Sequence, residues 1–253
     1  MLVLFTDYGW HDPYVGQVKA VMAARAPGVA VIDLLHAVPD FNAHAGAHLL
    51  AALCRDLPAG AVVLAVVDPG VGGPREAVVV EAEGRFYVGP DNGLLSVLAG
   101  RAQTTRTWRI AWRPENLSDS FHGRDLFAPI AAWIAAGNFP SAKLTPIEAL
   151  QVQFDTAELP RILYLDHYGN AWSGIRCNIG GGLAAPGSNI EVKGNVLPWR
   201  RVFVEADKGE AFWHVNSSGL IEIAVNRGSA AEKLGLKVGD LVRLSESTGS
   251  HRH

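Results

Sequence analysis

Strand-length apolar runs alternate with helix-length stretches through the first half of the chain, and this alternation limits the possible folds more than any other feature. Runs at 2–6, 30–34, 61–67 and 77–81 are rich in Val, Leu and Ala, and stretches at 14–26 and 42–53 separate the first three. Strands joined through a helix-length crossover pair in parallel, whereas antiparallel neighbours need only a tight turn. The economical architecture is α/β, with a mostly parallel sheet covered by helices on both faces. Asp7 and Asp68 then stand at strand C-terminal ends, where open α/β sheets bind ligands.

After Trp133 the pattern changes. Residues 137–160 include Pro140, Pro146 and Pro160 and show no clear period, as expected of a connection between domains. The sequence therefore divides into an N-terminal α/β catalytic domain at 1–145, a linker at 146–160 and a smaller C-terminal domain at 161–253. In the last of these, short β-rich runs at 161–166, 189–192, 201–204, 220–225 and 241–244 alternate with glycine-rich turns, the pattern of an antiparallel β-barrel. The terminal SESTGSHRH reads as a frayed tail, with metal binding by its histidines as the alternative.

Composition narrows the classes of function. With 22 Lys+Arg against 25 Asp+Glu there is no basic excess to hold a phosphate backbone, so nucleic acid is not an expected partner. No apolar run approaches the roughly 20 residues that span a bilayer, and MLVLFTDYGW lacks the pattern of a secretory leader, so the expected location is the cytoplasm, away from the membrane. Cys54 and Cys177 are too few for a disulfide framework and read as buried small hydrophobes. His44 and His48 share an i, i+4 helix face, but no carboxylate ligand stands near them in sequence; no metal site is expected.

Four segments place reactive side chains where apolar runs meet glycine or proline turns: FTDYGWHDPYVGQVKA, VVDPGVGGPR, GPDNG and FHGRDLFAP. Asp7 can accept two hydrogen bonds from a cis-diol such as a ribose, or can serve as a helix cap or turn residue. Asp68 precedes a glycine-rich loop that can return Arg75 toward it, giving a charge-assisted pair that is either catalytic or structural. The loop has neither the Lys-Ser/Thr of a Walker motif nor the spacing of a dinucleotide loop. A lone His122 is usually a satisfied structural residue, but Gly123 beside it allows close approach of a ligand. Arg124 and Asp125 are expected to pair and to cap a helix over 126–136. Asp68, Arg75 and His122 together form a possible acid, base and orienting set.

The ordered motifs FTDYG, DPGVG followed by Arg75, GPDNG, FHGRD, DHYGN and NSSGLIEIAVN resemble the S-adenosyl-L-methionine hydroxide adenosyltransferases, relatives of the fluorinases and chlorinases. The resemblance spans nearly the whole chain. It implies a catalytic set at Asp68, Arg75 and His122 and a ribose-binding role for Asp7. It further implies that Asp166 and Asn170 look toward the methionine amine and the adenine, Ser217 toward the carboxylate, and Asn226 toward the adenine edge. A homotrimer with sites at subunit interfaces is implied as well, and no cofactor, S-adenosyl-L-methionine being the substrate. Two departures from the halogenating relatives favour hydrolysis: those enzymes lack the histidine, and the fluorinase insertion is missing between Gly93 and Trp108. Ser218 and Val225 stand where fluorinases carry arginines. Halide transfer and nucleoside binding without turnover are the alternatives.

The implied chemistry suits these residues. A sulfonium leaves as neutral methionine without a proton donor, so the site must supply a nucleophile in line with the ribose C5′ carbon. On this reading a neutral His122 accepts the proton of water while Asp68 and Arg75 orient it, and base catalysis of that kind contributes ~100- to 10,000-fold. Arg75 takes an electrostatic role, because its guanidinium does not deprotonate in proteins.

Overall fold

A computed structural model describes residues 1–177 and 188–245. The chain forms two compact units, Met1–Thr156 and Ala157–His253.

The first unit holds one seven-stranded sheet: β1 (Leu2–Thr6), β2 (Val31–Leu35), β3 (Val62–Val66), β4 (Ala77–Ala82), β5 (Arg85–Pro90), β6 (Thr105–Ile110) and β7 (Leu144–Ile147), in the order β2-β1-β3-β5-β4-β6-β7. The helices are α1 (Tyr14–Arg25), α2 (Ala43–Leu53), α3 (Ser96–Arg101) and α4 (Ala128–Ala135). β1 pairs in parallel with β2 and β3, as crossovers through α1 and α2 require, and β3 also pairs in parallel with β5. β4, β6 and β7 pair antiparallel, so the sheet is mixed where a mostly parallel one was expected. The cause is local. Glu83 and Gly84 take φ values of 50° and 72°, the left-handed two-residue turn that folds β4 directly onto β5 as a hairpin.

Alternation along β1 and β3 sends residues to two cores. Leu2, Leu4, Val62, Leu64 and Val66 pack with Val18 and Met22 of α1 and Ile130 and Ala131 of α4. Val3, Phe5, Val63, Ala65 and Val67 are equally buried and point the other way, where Gly46 of α2 approaches Val38, Val67 and Leu94. A Cβ on Gly46 would come within 3.0 Å of Leu94, which explains a glycine inside a helix. Within the stretch expected as a linker, Gln151 and Val152 donate backbone hydrogen bonds to the buried carboxylate of Asp91, and Phe154 to Ser96 Oγ.

The second unit contains β8 (Leu159–Leu165), β9 (Ala171–Arg176), β10 (Asn189–Val192), β11 (Asn195–Leu197), β12 (Ala211–Val215), β13 (Leu220–Val225) and β14 (Val242–Ser245), with a short α5 (Ala230–Leu234). They make two antiparallel sheets, β12-β13-β9-β8 and β11-β10-β14, around a core that includes Ile162, Ile190, Trp213, Ile221 and Ile223. The strand expected at 201–204 is absent. Phe203–Glu205 is instead a 3₁₀ turn in which the Glu205 carboxylate accepts from the Arg201 amide, leaving Val204 86% exposed. Residues 246–253, most of the expected frayed tail, lie outside the described residues. Among the described residues no helix is long and apolar enough to cross a membrane.

Candidate active site

The C-terminal ends of the neighbouring strands β1 and β3 build the site. β1 stops at Thr6, and the Asp7 amide donates to the Val66 carbonyl at the end of β3 at 3.3 Å, so Asp7 and Asp68 leave the sheet side by side. Beyond Asp68 the chain turns tightly, with Val71 N–H bonded to the Asp68 carbonyl and Gly73 N–H to that of Gly70. Gly72 adopts φ 77°, and a Cβ there would lie 2.4 Å from the Asp119 carbonyl oxygen, so the loop tip seats against the segment leading to His122.

The loop returns Arg75 to Asp68. Its Nε lies 3.1 Å from each carboxylate oxygen and its Nη2 also bonds Oδ2, with the two side chains only 11% and 5% exposed. The same Nη2 reaches Nδ1 of His122 at 3.0 Å, across 47 residues of sequence. A guanidinium only donates, so His122 Nδ1 accepts, and in the neutral ring the hydrogen sits on Nε2. Burial, followed by the charge of Arg75, holds the His122 pKa below its ordinary value of 6.5 and keeps the ring neutral. This contact changes the expected role of His122. Its basic nitrogen is occupied by Arg75, and the other is a hydrogen-bond donor.

His122 is held by an unusual turn. Gly123–Phe127 forms a π-helical turn running into α4, where the sequence led us to expect a helix over 126–136. Arg124 and Asp125 pair at 2.6 and 2.9 Å, and Asp125 also accepts from the Ser118 amide; the Arg124 bond holds the Asp125 carboxyl below the usual carboxylate range. Gly123 is required, because a Cβ there would fall 1.9 Å from the Tyr8 hydroxyl oxygen.

These elements enclose a cleft of about 650 Å³ whose walls include Asp7, Tyr8, Phe41, Asp68, Phe121 and His122. Arg75 stands behind the wall, gripping Asp68 and His122. Asp7 Oδ2 accepts from the Phe41 amide at 3.2 Å, yet burial raises its pKa from the ordinary 3.8. Phe41 itself takes φ 59° and is 74% exposed, an aromatic plate at the mouth of the cleft. Tyr8 and Tyr14 each meet Phe121 edge to face, at 5.7 and 5.4 Å, and meet each other at a tilt, at 6.0 Å. Sequence reasoning missed this aromatic lining; Tyr8, Tyr14 and Phe121 lie within motifs already chosen for their charged residues, whereas Phe41 lies outside them all.

The remaining candidates lie in the second unit. Asp166 Oδ1 accepts from the Tyr168 and Asn170 amides at 2.9 Å and its Oδ2 from Asn170 Nδ2 at 3.0 Å. Asp166 and Asn170 line a separate cavity of about 560 Å³ with Tyr168, Phe203, Val225 and Arg227. Asn226, between two of these, turns its amide to the Ala206 carbonyl at 2.6 Å. Ser217 is exposed on a different turn, whose neighbour Asn216 caps the Ser218 and Leu220 amides at 3.0 Å. Among the described residues there is no group of three or more His, Cys, Asp or Glu able to hold a metal ion, and the His44 ring packs against His48 and Phe154.

Comparison with known proteins bears on this arrangement. The family described as SAM hydroxide adenosyltransferase N-terminal domain matches residues 2–144, and its C-terminal counterpart matches residues 160–243. A protein of Thermus thermophilus named (R)-S-adenosyl-L-methionine hydrolase is 43% identical, over 94% of this chain and 97% of its own. One of the same name from Salinispora tropica is 37% identical over 95% of each. Among solved structures, an uncharacterized conserved protein from Thermotoga maritima superposes with a TM-score of 0.85 at 29% identity, covering 97% of this chain and all of the other.

Proposed function

The chain belongs to the SAM hydroxide adenosyltransferase family, and from that premise we propose that it hydrolyses S-adenosyl-L-methionine to adenosine and L-methionine. The protein is an enzyme of the hydrolase class, as its relatives' names indicate. Those names specify the (R) form, and we extend that preference to this chain. The observation that carries the reading is the bonded series Asp68–Arg75–His122, whose two ends line a cleft that Asp7 shares.

In this mechanism a water oxygen attacks the ribose C5′ as the C5′–S bond breaks, its electron pair going to sulfur. One water lone pair forms the new C–O bond, and the other accepts from His122 Nε2–H. A water hydrogen points to the Asp68 carboxylate, because His122 Nδ1 is already taken by Arg75, and one proton leaves with the products. Arg75 fixes both partners of the water and opposes protonation of His122. The Asp7 carboxylate accepts both hydroxyls of the ribose, and the aromatic lining provides an apolar, dry surface beside the sulfonium.

Asp166, Asn170, Ser217 and Asn226 are assigned to the methionine and adenine ends of the substrate. The two C-terminal sheets are read as a barrel, supported by the bridges Arg161–Leu241 and Trp199–Trp213 at their two junctions. The proposal includes a homotrimer in the cytoplasm and a reaction without cofactor, so activity survives chelators.

Turnover in oxygen-18 water tests the reading. Labelled adenosine is expected. A 5′-halo nucleoside formed only with added halide, or ligand recovered unchanged, would overturn it.

A further inference from the structure

The GPDNG segment is singled out by the sequence but lies outside the proposed chemistry, and its bonds lead to the catalytic loop. We infer that Asn92 is a positioning residue that holds Asp68 in its reactive place, an inference that rests on the functional reading above. Asn92 Nδ2 donates to the Val67 carbonyl at 2.8 Å, the peptide group immediately before Asp68. Its Oδ1 accepts from the Leu94 amide at 3.2 Å, which fixes the amide the right way round. The neighbouring Asp91 amide donates to the Glu76 carbonyl at 2.9 Å, one residue past Arg75. Two adjacent residues thus staple both stems of the 68–75 loop, whose three glycines leave it little stiffness of its own.

The anchor is itself rigid. Asp91 is 2% exposed and accepts from the amides of Gln151 and Val152. Gly93 takes φ 95° beneath the Phe154 ring, which a Cβ would meet at 2.4 Å. On the opposite side, the Val66 carbonyl is taken by the Asp7 amide. The end of β3 is therefore clamped between the diol-binding turn and Asn92, and only the Asn92 bond acts through a replaceable side chain.

Two substitutions test the assignment. Asn92→Ser is too short to reach Val67, and Asn92→Asp sets an oxygen against the carbonyl it served. Both are expected to lower kcat by about 10- to 100-fold, the effect of displacing a reacting group by an ångström. KM and adenosine affinity stay within about twofold, because Asp7 is untouched. Asn92→Asp carries a further signature: the introduced carboxyl, once protonated, can again donate to Val67. With Asp91 and Glu76 as the nearby acidic groups, its kcat relative to the native enzyme rises as pH falls from about 8 to about 5. A ratio flat with pH, or native kcat in both variants, overturns the assignment. Hydrogen exchange of the Val71 and Gly73 amides provides a readout independent of turnover, expected to quicken about 10-fold in both variants while β1 is unchanged. Unchanged exchange also overturns it. A native enzyme that fails to cleave S-adenosyl-L-methionine overturns the functional reading alone, and exchange still decides the staple.

Discussion

The two units treat the same residue types in opposite ways. In the first, Asp68 and Arg75 from the two stems of one loop and His122 from a turn 47 residues further on satisfy one another beside a cleft. In the second, Asp166 is bonded within its own turn to Tyr168 and Asn170, and Asn226 caps the Ala206 carbonyl. Bonds between residues far apart in sequence fix the relative position of reacting groups, as catalysis needs. Bonds within a turn, as at Asp166, or to a backbone carbonyl, as at Asn226, fix the local chain and leave a ligand only the lone pairs and backbone that remain. On the proposed reading the first unit performs the chemistry and, through Asp7, holds the ribose, while the second binds the methionine end, so losses of kcat at Asp68, Arg75 and His122 should separate from losses of affinity at Asp7 and in the second unit.

Arg75→Ala attacks this contrast most directly. It strips Asp68 and His122 of their common donor and leaves a carboxylate with 5% exposure unpaired. Turnover should fall about 10²- to 10³-fold, and stability by about 3–5 kcal/mol. Urea unfolding beside steady-state kinetics checks both. Arg75→Lys keeps the charge without the two-pronged geometry, so its stability should recover more than its turnover. Equal recovery of the two would reduce the site to a structural ion pair.

His122→Ala ranks next, with kcat lowered about 100-fold and adenosine affinity little changed. Its pH behaviour is the sharper readout. The folded His122 pKa lies below the unfolded value of 6.5, so the unfolded chain binds more protons between the two. The native protein therefore keeps this share of stability above pH 6.5 and loses it as pH falls through the folded value. The variant should lack that acid decline. Turnover of the native enzyme should fail over the same window, because a proton on Nδ1 would face the Arg75 guanidinium. Activity that instead rises on acidification would remove the neutral donor from the mechanism.

How far the sequence discloses this contrast depends on whether a feature is local. β1, α2 and β13 follow from period and flanking turns, and the strand ends place Asp7 and Asp68 correctly. β5 escaped because its hairpin is signalled only by Glu83-Gly84, and β9 because Gly174 breaks its apolar run. The 68–75 loop shows its glycines in sequence, but the seating of Gly72 on Asp119 depends on a segment nearly fifty residues away. The His122 tautomer is equally invisible without Arg75 Nη2, and so is the reach of Asn92 to Val67. Resemblance to a family names such residues; the hydrogen bonds give each one its direction.

Asp7→Asn tests whether binding in the first unit costs stability. Burial raises the Asp7 pKa, so its favourable share of stability exists at low pH and is lost as pH rises through the folded value. At neutral pH the charge is a burden, and the substitution should raise Tm by about 1–3 °C. The asparagine oxygen can still accept from the Phe41 amide, but it cannot accept both hydroxyls of a diol as a carboxylate does. Adenosine affinity should drop about 10- to 100-fold, the loss of a hydrogen bond to a charged group. Calorimetric titration and melting on the same samples decide it; unchanged affinity would place the ribose elsewhere.

Ser217→Ala should have the smallest effect and is the cleanest probe of the second unit. Asp166 and Asn226 are committed to internal bonds, so replacing either mixes loss of folding with loss of binding. The Ser217 side chain is exposed, and its turn is held by Asn216 through the Ser218 and Leu220 amides. Its removal should leave Tm within about 1 °C, as for surface positions in general. A neutral hydroxyl donating to the methionine carboxylate contributes roughly one kcal/mol, so KM for S-adenosyl-L-methionine should rise about 3- to 10-fold. Adenosine lacks that carboxylate, and its affinity should stay the same. A parallel loss for both ligands would move Ser217 to the nucleoside end, and no loss for either would leave the methionine tail to other residues. Only the split between the two ligands fits a second unit that recognises the departing amino acid while the first performs the cleavage.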